Sequence, residues 1–272
     1  MTAAYVPQQA IQRARTIAWT TALGAITPEA LSERDALSLA VAKERLDEAV
    51  GLGLMDKHSV LVGYSDLYTA TIAGRKLARK HADVGGYSYP DGLRTARVTI
   101  KEARHTIACA SVAAALERRY PDHRVIGERE LHRDESSHKR RLASVEIRRH
   151  AQVRSHYPDL VIWPPAVAGS PTPLPIAVEV ELTMKSKEEL TAICRAFARS
   201  RHIEGALYYA ETTKIEERLF DTIEGLKAEE MVVVNPLSEI VKSLPGFGLV
   251  PWETEDRTPP PEAPLDSRDS VR

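Results

Sequence analysis

Cysteine is nearly absent from this sequence. The 272 residues contain only two, Cys109 and Cys194, which lie far apart in the chain. This excludes a disulfide framework and the paired cysteine spacings of common zinc modules. We therefore expect a protein of the reducing cytoplasm in which both thiols are buried.

Long apolar runs and an excess of charge of one sign are also missing. No stretch approaches the ~18 apolar residues that would span a bilayer, so we expect no membrane association. Residues 1–12 lack the basic start and apolar core of a signal peptide. The 37 basic and 38 acidic side chains leave a formal net charge of −1, so any surface that binds nucleic acid must be local.

The first 82 residues predict three helices, a β-hairpin and a fourth helix, which is the order of a winged helix. Thr27-Pro28 offers a hydroxyl cap followed by proline at the first helical position, and Thr71 offers a second cap. The strings RLDEAVGLGL (45–54) and YTATIAG (68–74) resemble those of many bacterial winged-helix proteins. The predicted helices cover 9–24, 28–34, 37–50 and 72–81, and the predicted strands cover 54–62 and 67–71.

A second domain is predicted over 97–250, after a linker at 83–96 that is rich in Gly, Tyr and Pro. The chain should thus be an α+β protein with a mixed sheet in this domain. Its elements, in the order αβββαβαβ, are expected at 103–120, 124–132, 160–163, 176–182, 187–201, 206–210, 215–227 and 231–234, with an irregular basic stretch at 132–157. The proline-rich and acidic residues 251–272 predict a disordered tail.

Acidic residues flank the two most apolar strands of this domain. Because side chains alternate faces along a strand, Glu179 and Glu181 should project from one face and continue toward Lys185. If strands 160–163 and 176–182 pair as a hairpin, Asp159 reaches the same face. We predict that Asp159, Glu179 and Glu181 form an all-oxygen site for Mg²⁺ or Mn²⁺, with Lys185 assisting catalysis.

This pattern resembles the PD-(D/E)XK nuclease superfamily, which shares an αβββαβ core. The resemblance assigns Asp159 as the motif aspartate and Glu179 as the motif glutamate. Glu181 occupies the position where the motif has lysine, and Lys185 would substitute for it from further along the strand. Glu128 would match an acidic residue that some members carry near the first helix or strand.

A closer resemblance, to the replication-relaxation family, covers roughly residues 10–240. Its most specific part is AVEVELTMKS at 177–186, which is followed by a basic helix; GEREL at 127–131 and Pro158-Asp159 also agree. The resemblance implies a DNA-associated protein linked to the replication and mobilisation of plasmids and other mobile elements.

The stretch 132–157 carries seven basic side chains against three acidic ones, and either contacts DNA phosphates or forms a solvated insertion. Its basic residues are Arg133, Lys139, Arg140, Arg141, Arg148, Arg149 and Arg154. Its four histidines lack a regular metal-ligand spacing. His105 is expected to be structural. Arg195, Arg199 and Arg201 are expected on the helix after the site, where they either form a solvent-exposed face or contact phosphate.

The predicted recognition helix is not strongly basic. Lys43 and Arg45 share it with Glu44, Asp47 and Glu48, whereas helices in the major groove are usually richer in basic and amide side chains. The N-terminal domain is therefore expected either to bind DNA or to bind protein, as a homodimer or with plasmid mobilisation proteins.

Three functions follow from these patterns. The first is a DNA-binding accessory or regulatory protein of a plasmid or mobile element, whose nuclease-like domain does not necessarily cut. The second is a Mg²⁺-dependent endonuclease that uses Asp159, Glu179, Glu181 and Lys185. The third is a winged-helix transcriptional regulator without catalysis.

Overall fold

The computed structural model describes residues 7–149, 152–166, 169 and 171–241, without the side chain of Arg149. The predicted tail at 251–272 lies outside them. The described helices are α1 (Gln8–Leu23), α2 (Pro28–Asp35), α3 (Leu39–Gly51), α4 (Ile72–Gly85), α5 (Ile100–Arg119), α6 (Glu128–His138), α7 (Lys187–Ala198), α8 (Thr213–Leu226) and α9 (Leu237–Ile240). The described strands are β1 (Met55–His58), β2 (Leu67–Ala70), β3 (Arg124–Gly127), β4 (Val145–Arg149), β5 (Gln152–His156), β6 (Leu160–Trp163), β7 (Ile176–Glu181), β8 (Gly205–Ala210) and β9 (Val232–Pro236).

The N-terminal part has the predicted order of three helices, two paired strands and a fourth helix. Both predicted caps are confirmed, because the Thr27 hydroxyl accepts from the N–H of Ala30 and the Thr71 hydroxyl accepts from the N–H of Gly74. Gly74 also packs against the backbone of Leu54, where a side chain would collide with the carbonyl oxygen. Thr71 and Gly74 therefore determine how closely the start of α4 approaches the residues that follow α3.

Helix α5 joins the N-terminal part to the rest of the chain through a shared core. Its small residues Ala110 and Ala114 belong to the cluster of buried side chains formed by α1, α2 and α3. The Glu117 carboxylate accepts from Trp19 Nε1 at 2.7 Å and from Arg34 Nε at 2.6 Å. The N-terminal helices are thus packed against α5 by both apolar and polar contacts.

Five of the remaining strands form the predicted mixed sheet, in the spatial order β3-β6-β7-β8-β9, and β4 and β5 pair separately. β3, β6 and β7 are antiparallel neighbours, whereas β7, β8 and β9 are parallel. Residues of α5 share one core cluster with Val178 and Val180 of β7, and residues of α7 and α8 share another with Ala177. The chain is therefore an α+β protein whose central sheet is covered on both faces.

Two sequence-based expectations for residues 124–157 are wrong. The strand expected to reach His132 ends at Gly127 and is followed by α6, and the stretch expected to be irregular contains α6 and the β4–β5 pair. Val145 and Ile147 of β4 are buried against the α7 side of the core, while the alternate residues Glu146 and Arg148 are exposed. Apolar and charged residues alternate over only a few positions of this hairpin, and the many charged residues around them make the pattern hard to recognise in the sequence.

Within the described ranges, no helix combines the length and apolar character needed to cross a bilayer.

Glu135 of α6 fixes the turn that leads into β4. Its Oε1 accepts from the N–H groups of Leu142, Ala143 and Ser144 at 2.8, 3.0 and 2.9 Å, and the Ser144 hydroxyl donates to its other oxygen. Burial raises the pKa of Glu135, but these hydrogen bonds outweigh it and leave the pKa below its ordinary value.

We expect Glu135→Gln to lower the free energy of unfolding by about 1–3 kcal/mol at neutral pH. Because the folded pKa is depressed, this contribution is present above the unfolded pKa and is lost as the pH falls through the folded one. The difference from wild type in urea unfolding should therefore shrink in acid. Glu146→Gln, at an exposed position of β4, is the control, and equal effects of the two changes would contradict the assignment.

Candidate functional site

The register of β6 and β7 brings the predicted acidic residues together. Leu160 pairs with Val178, so the preceding Asp159 lies across from Glu179. Asp159, Glu179, Glu181 and Lys185 all line one cavity of about 690 Å³. We call this space the acidic cavity.

Each of the three predicted carboxylates is paired with a different basic side chain. Glu179 Oε1 lies 2.7 Å from His156 Nε2, and Glu181 is ion-paired with Lys185. Asp159 Oδ1 lies 2.9 Å from His105 Nε2, and Oδ2 accepts from the N–H of Val180 at 2.7 Å. Residues Glu179 and Glu181 are each only 3% exposed, so these partners compensate charge that water does not reach.

The proton affinities in the acidic cavity follow from this pairing. The hydrogen bond to Asp159 raises the pKa of His105. Burial lowers the pKa of His156, but the charge and hydrogen bond of Glu179 outweigh it and the net shift is upward. Burial likewise lowers the pKa of Lys185, yet Glu181 and Glu179 raise it above its ordinary value. All three basic groups therefore hold their protons more tightly than they would in water.

For two acids in the acidic cavity, Glu181 and Glu128, burial raises the pKa, whereas it lowers the pKa of the basic groups. Burial raises the pKa of Glu181, and Lys185 offsets only part of that shift. Burial, Asp159 and Glu179 together raise the pKa of Glu128, which also lines the cavity. Glu128 lies at the first position of α6, directly after β3, and its backbone N–H donates to the carbonyl oxygen of Asp159 at 2.9 Å.

Sequence reasoning missed the two histidines of the acidic cavity. His105, predicted to be purely structural, lies on α5 and contacts Asp159, while His156 ends a strand that was not predicted at all. No spacing in the sequence connects them to Asp159 and Glu179, because the contacts arise from the packing of α5 and of the β4–β5 pair around the sheet.

One set of three ligand-type atoms within 4.8 Å of one another occurs among the described residues, and it is not the predicted carboxylate set. It consists of His105, Cys109 and Asp159. Glu179 and Glu181 point instead at His156 and Lys185. The expectation of two buried thiols is correct for Cys194, whereas Cys109 is only partly buried.

Basic side chains line a second region beside the acidic cavity. Five arginines surround a cavity of about 630 Å³: Arg141 and Arg148 of the hairpin region, Arg195 of α7, and Arg199 and Arg201 directly after α7. A neighbouring cavity of about 580 Å³ shares Arg141 and His202 with it and is also lined by Lys139 and Arg140. We call the two cavities together the basic groove.

The basic groove adjoins the acidic cavity, because Ser155 and Tyr157 line both. Among the described residues, no carboxylate forms an ion pair with Arg148, Arg195 or Arg199, or with Arg201. The arginines in and directly after α7 are exposed, as predicted, and the structure adds that they share a groove with the hairpin.

Not every basic residue of 132–157 faces this groove. Arg133 is ion-paired with Glu130 and Asp134, and Arg154 is ion-paired with Glu189. Within the groove, Arg141 is ion-paired with Glu146. The excess of positive charge between β4 and α7 therefore comes from Arg148, Arg195 and Arg199.

The polar face of α3 is largely occupied by contacts within the N-terminal part. Asp47 accepts from the Tyr68 hydroxyl at 2.7 Å and is ion-paired with Lys57, and Glu48 is ion-paired with Arg13. Lys43 remains exposed beside the exposed apolar side chains Leu39 and Val41 of the same helix.

No protein-family model, curated protein or solved structure matches this chain.

We expect Lys185→Met to lower the free energy of unfolding by about 1–3 kcal/mol, because Glu181 would remain buried without a cation. The double change Glu181→Gln with Lys185→Met should recover most of that loss, since it removes both charges. Urea unfolding of the wild type, the two single variants and the double variant measures the effect. Lys214→Met, on the exposed surface of α8, is the control. A loss no larger than that of the control would refute the coupling.

Proposed function

We propose that this chain is a DNA-binding protein whose acidic cavity cleaves phosphodiester bonds with Mg²⁺ or Mn²⁺. The observation that carries the proposal is that Asp159, Glu179, Glu181 and Lys185 line one cavity beside the paired strands β6 and β7. The order of the central elements and the mixed sheet are compatible with the αβββαβ core of PD-(D/E)XK nucleases. They support the resemblance found in the sequence.

The donor chemistry of the acidic cavity fits a hard divalent cation. Asp159, Glu179 and Glu181 supply carboxylate oxygens, the ligands that Mg²⁺ and Mn²⁺ prefer. Two of these groups are almost fully buried, and a cation would compensate them as His156 and Lys185 do here. When bound, the cation would polarise the phosphate and lower the pKa of a coordinated water.

The residues of the chain have separable roles in this proposal. Because its pKa is raised, Lys185 stays protonated at neutral pH, so it acts as a positive charge and hydrogen-bond donor toward phosphate rather than as a base. Glu128, whose pKa is raised by burial and by the neighbouring acids, retains a proton to higher pH than an ordinary glutamate. It is the candidate proton donor of the cavity.

DNA is the proposed substrate because a groove lined mainly by basic side chains adjoins the acidic cavity; Arg141 in it is ion-paired with Glu146. Arg148, Arg195 and Arg199 offer guanidinium groups that suit phosphate oxygens. The chain as a whole has a net charge of −1, so this local excess of positive charge is a feature of one surface rather than of the composition.

The N-terminal part is proposed to act as a winged helix, on the basis of its element order and of the resemblance. Asp47 and Glu48 of α3 are paired with side chains of that part. Because Leu39 and Val41 are exposed as well, α3 is suited either to DNA or to a protein surface. A homodimer and plasmid mobilisation proteins are the proposed protein partners.

The sequence resemblance supports work on a plasmid or mobile element, and the two free cysteines support a cytoplasmic location.

A second function is favoured by the pairing inside the acidic cavity. Each carboxylate already has a basic partner in the protein, which is the arrangement expected if the domain binds DNA without cutting it. The chain would then be an accessory or regulatory protein of the mobile element, or a transcriptional regulator without catalysis.

A plasmid-nicking assay separates these functions. We expect supercoiled plasmid to be nicked in Mg²⁺ or Mn²⁺ but not in EDTA, and Glu179→Gln to lose at least about 100-fold in rate, since partners of metal ligands alone contribute up to that factor. The control is Glu204→Gln at an exposed position outside the cavity. Binding without nicking would select the accessory function, and nicking retained by Glu179→Gln would overturn the proposed site.

A binding assay tests the basic groove separately. In EDTA, the double change Arg195→Gln with Arg199→Gln should weaken binding to a labelled duplex and reduce the slope of log K against log salt by roughly 2, one for each lost phosphate contact. The matched control is Lys214→Gln with Arg218→Gln on α8, which removes the same charge away from the groove. Equal slopes for the two double variants, measured by fluorescence anisotropy, would exclude the groove as the DNA contact.

A further inference from the structure

His105 and Cys109 lie one helical turn apart on α5 and face the same carboxylate. The Cys109 Sγ is 3.4 Å from His105 Nε2, which is 2.9 Å from Asp159 Oδ1. One ligand atom from each residue lies within 4.8 Å of the other two. A thiol, an imidazole and a carboxylate therefore converge on one point at the edge of the acidic cavity.

The three side chains are held by rigid elements. Residues four apart on a helix lie on the same face, and α5 is a helix of 20 residues that packs between the sheet and the N-terminal helices. The carboxylate of Asp159 is oriented by the Val180 N–H, which donates to its Oδ2 and leaves Oδ1 toward His105. A ligand at this point would need little rearrangement of the backbone.

We propose that His105, Cys109 and Asp159 form a binding site for a thiophilic divalent cation of the Zn²⁺ type. Sulfur, nitrogen and one oxygen form a donor set that selects Zn²⁺ over Mg²⁺ or Mn²⁺. Tetrahedral coordination at the usual bond lengths places such donor atoms roughly 3.4–3.6 Å apart. The His105–Cys109 pair, at 3.4 Å, already has this spacing, and the His105–Asp159 pair, at 2.9 Å, would open by about 0.5 Å.

The site is accessible and leaves room for a fourth ligand. His105 and Asp159 line both the acidic cavity and a second cavity of about 400 Å³, which Cys109 lines as well. Glu128 lines both cavities too and supplies a nearby carboxylate. Three protein ligands and an open position next to a cavity are the arrangement of reactive rather than purely structural zinc sites.

A cation bound by His105, Cys109 and Asp159 would affect the proposed Mg²⁺ or Mn²⁺ site in the acidic cavity. Asp159 is also a member of the proposed Mg²⁺ or Mn²⁺ site, so the two sites share a ligand, and a second cation nearby would be disfavoured by charge repulsion. This competition rests on the proposed nuclease function, whereas the binding of a thiophilic cation does not.

Cobalt titration tests the site without relying on enzyme activity. Co²⁺ added to the metal-free full-length protein should produce the near-ultraviolet absorption of a cobalt–thiolate bond, and equimolar Zn²⁺ should abolish it, whereas excess Mg²⁺ should not. Cys109→Ser should lose the absorption, and Cys194→Ser, which alters the other cysteine in the core, should retain it. His105→Asn should weaken Co²⁺ binding at least about 10-fold while leaving the thiol in place.

Circular dichroism and urea unfolding identify variants that fail to fold, and His105→Asn provides the second test if Cys109→Ser does so. The absence of cobalt–thiolate absorption from the wild-type protein would overturn the proposal. If folded Cys109→Ser retained the absorption, or folded Cys194→Ser lost it, the thiolate would not be that of Cys109 and the proposal would also be overturned.

Discussion

The compensation of buried negative charge on β7 is the constraint on which the rest of the site depends. Glu179 and Glu181 project from a central strand and are each 3% exposed, and an unpaired carboxylate in such a place costs several kcal/mol. His156 and Lys185 supply the missing charge from outside β7. Because two acids two residues apart face the same side of the strand, their partners must come from elements that cover that side. The position of the β4–β5 pair and of the residues after β7 therefore follows from the charge on the strand.

The β4–β5 pair links the acidic cavity to the basic groove. Its inner residues Val145 and Ile147 pack toward α7, and its last residue, His156, contacts Glu179. Its outward residue Arg148 lines the basic groove together with Arg195. A single short hairpin thus buries apolar surface, neutralises an acid and presents a cation. A polyanion lying in the groove would pass beside the acids without crossing another layer of the fold.

The sequence was sufficient where one local rule decides the structure. Alternation along β7 predicted the shared face of Glu179 and Glu181, and the apolar run at 160–163 predicted β6 with its observed bounds. Local rules failed at residues 132–157, because the hairpin is stabilised by burial of Val145 and Ile147 against α7 rather than by its own propensity. They also could not pair His105 with Asp159, since that contact joins a helix face to the start of a strand 54 residues later.

Helix α5 connects the N-terminal part to the chemistry of the site. Its Ala110 and Ala114 pack against the N-terminal helices, while His105 and Cys109 on the same helix face Asp159. A helix with small residues allows close packing on one side and is therefore sensitive to displacement from that side. A displacement of the N-terminal helices would therefore be transmitted through α5 to His105, which contacts one oxygen of Asp159. The same packing that joins the two parts of the chain thus gives the N-terminal part a direct physical route to the acidic cavity.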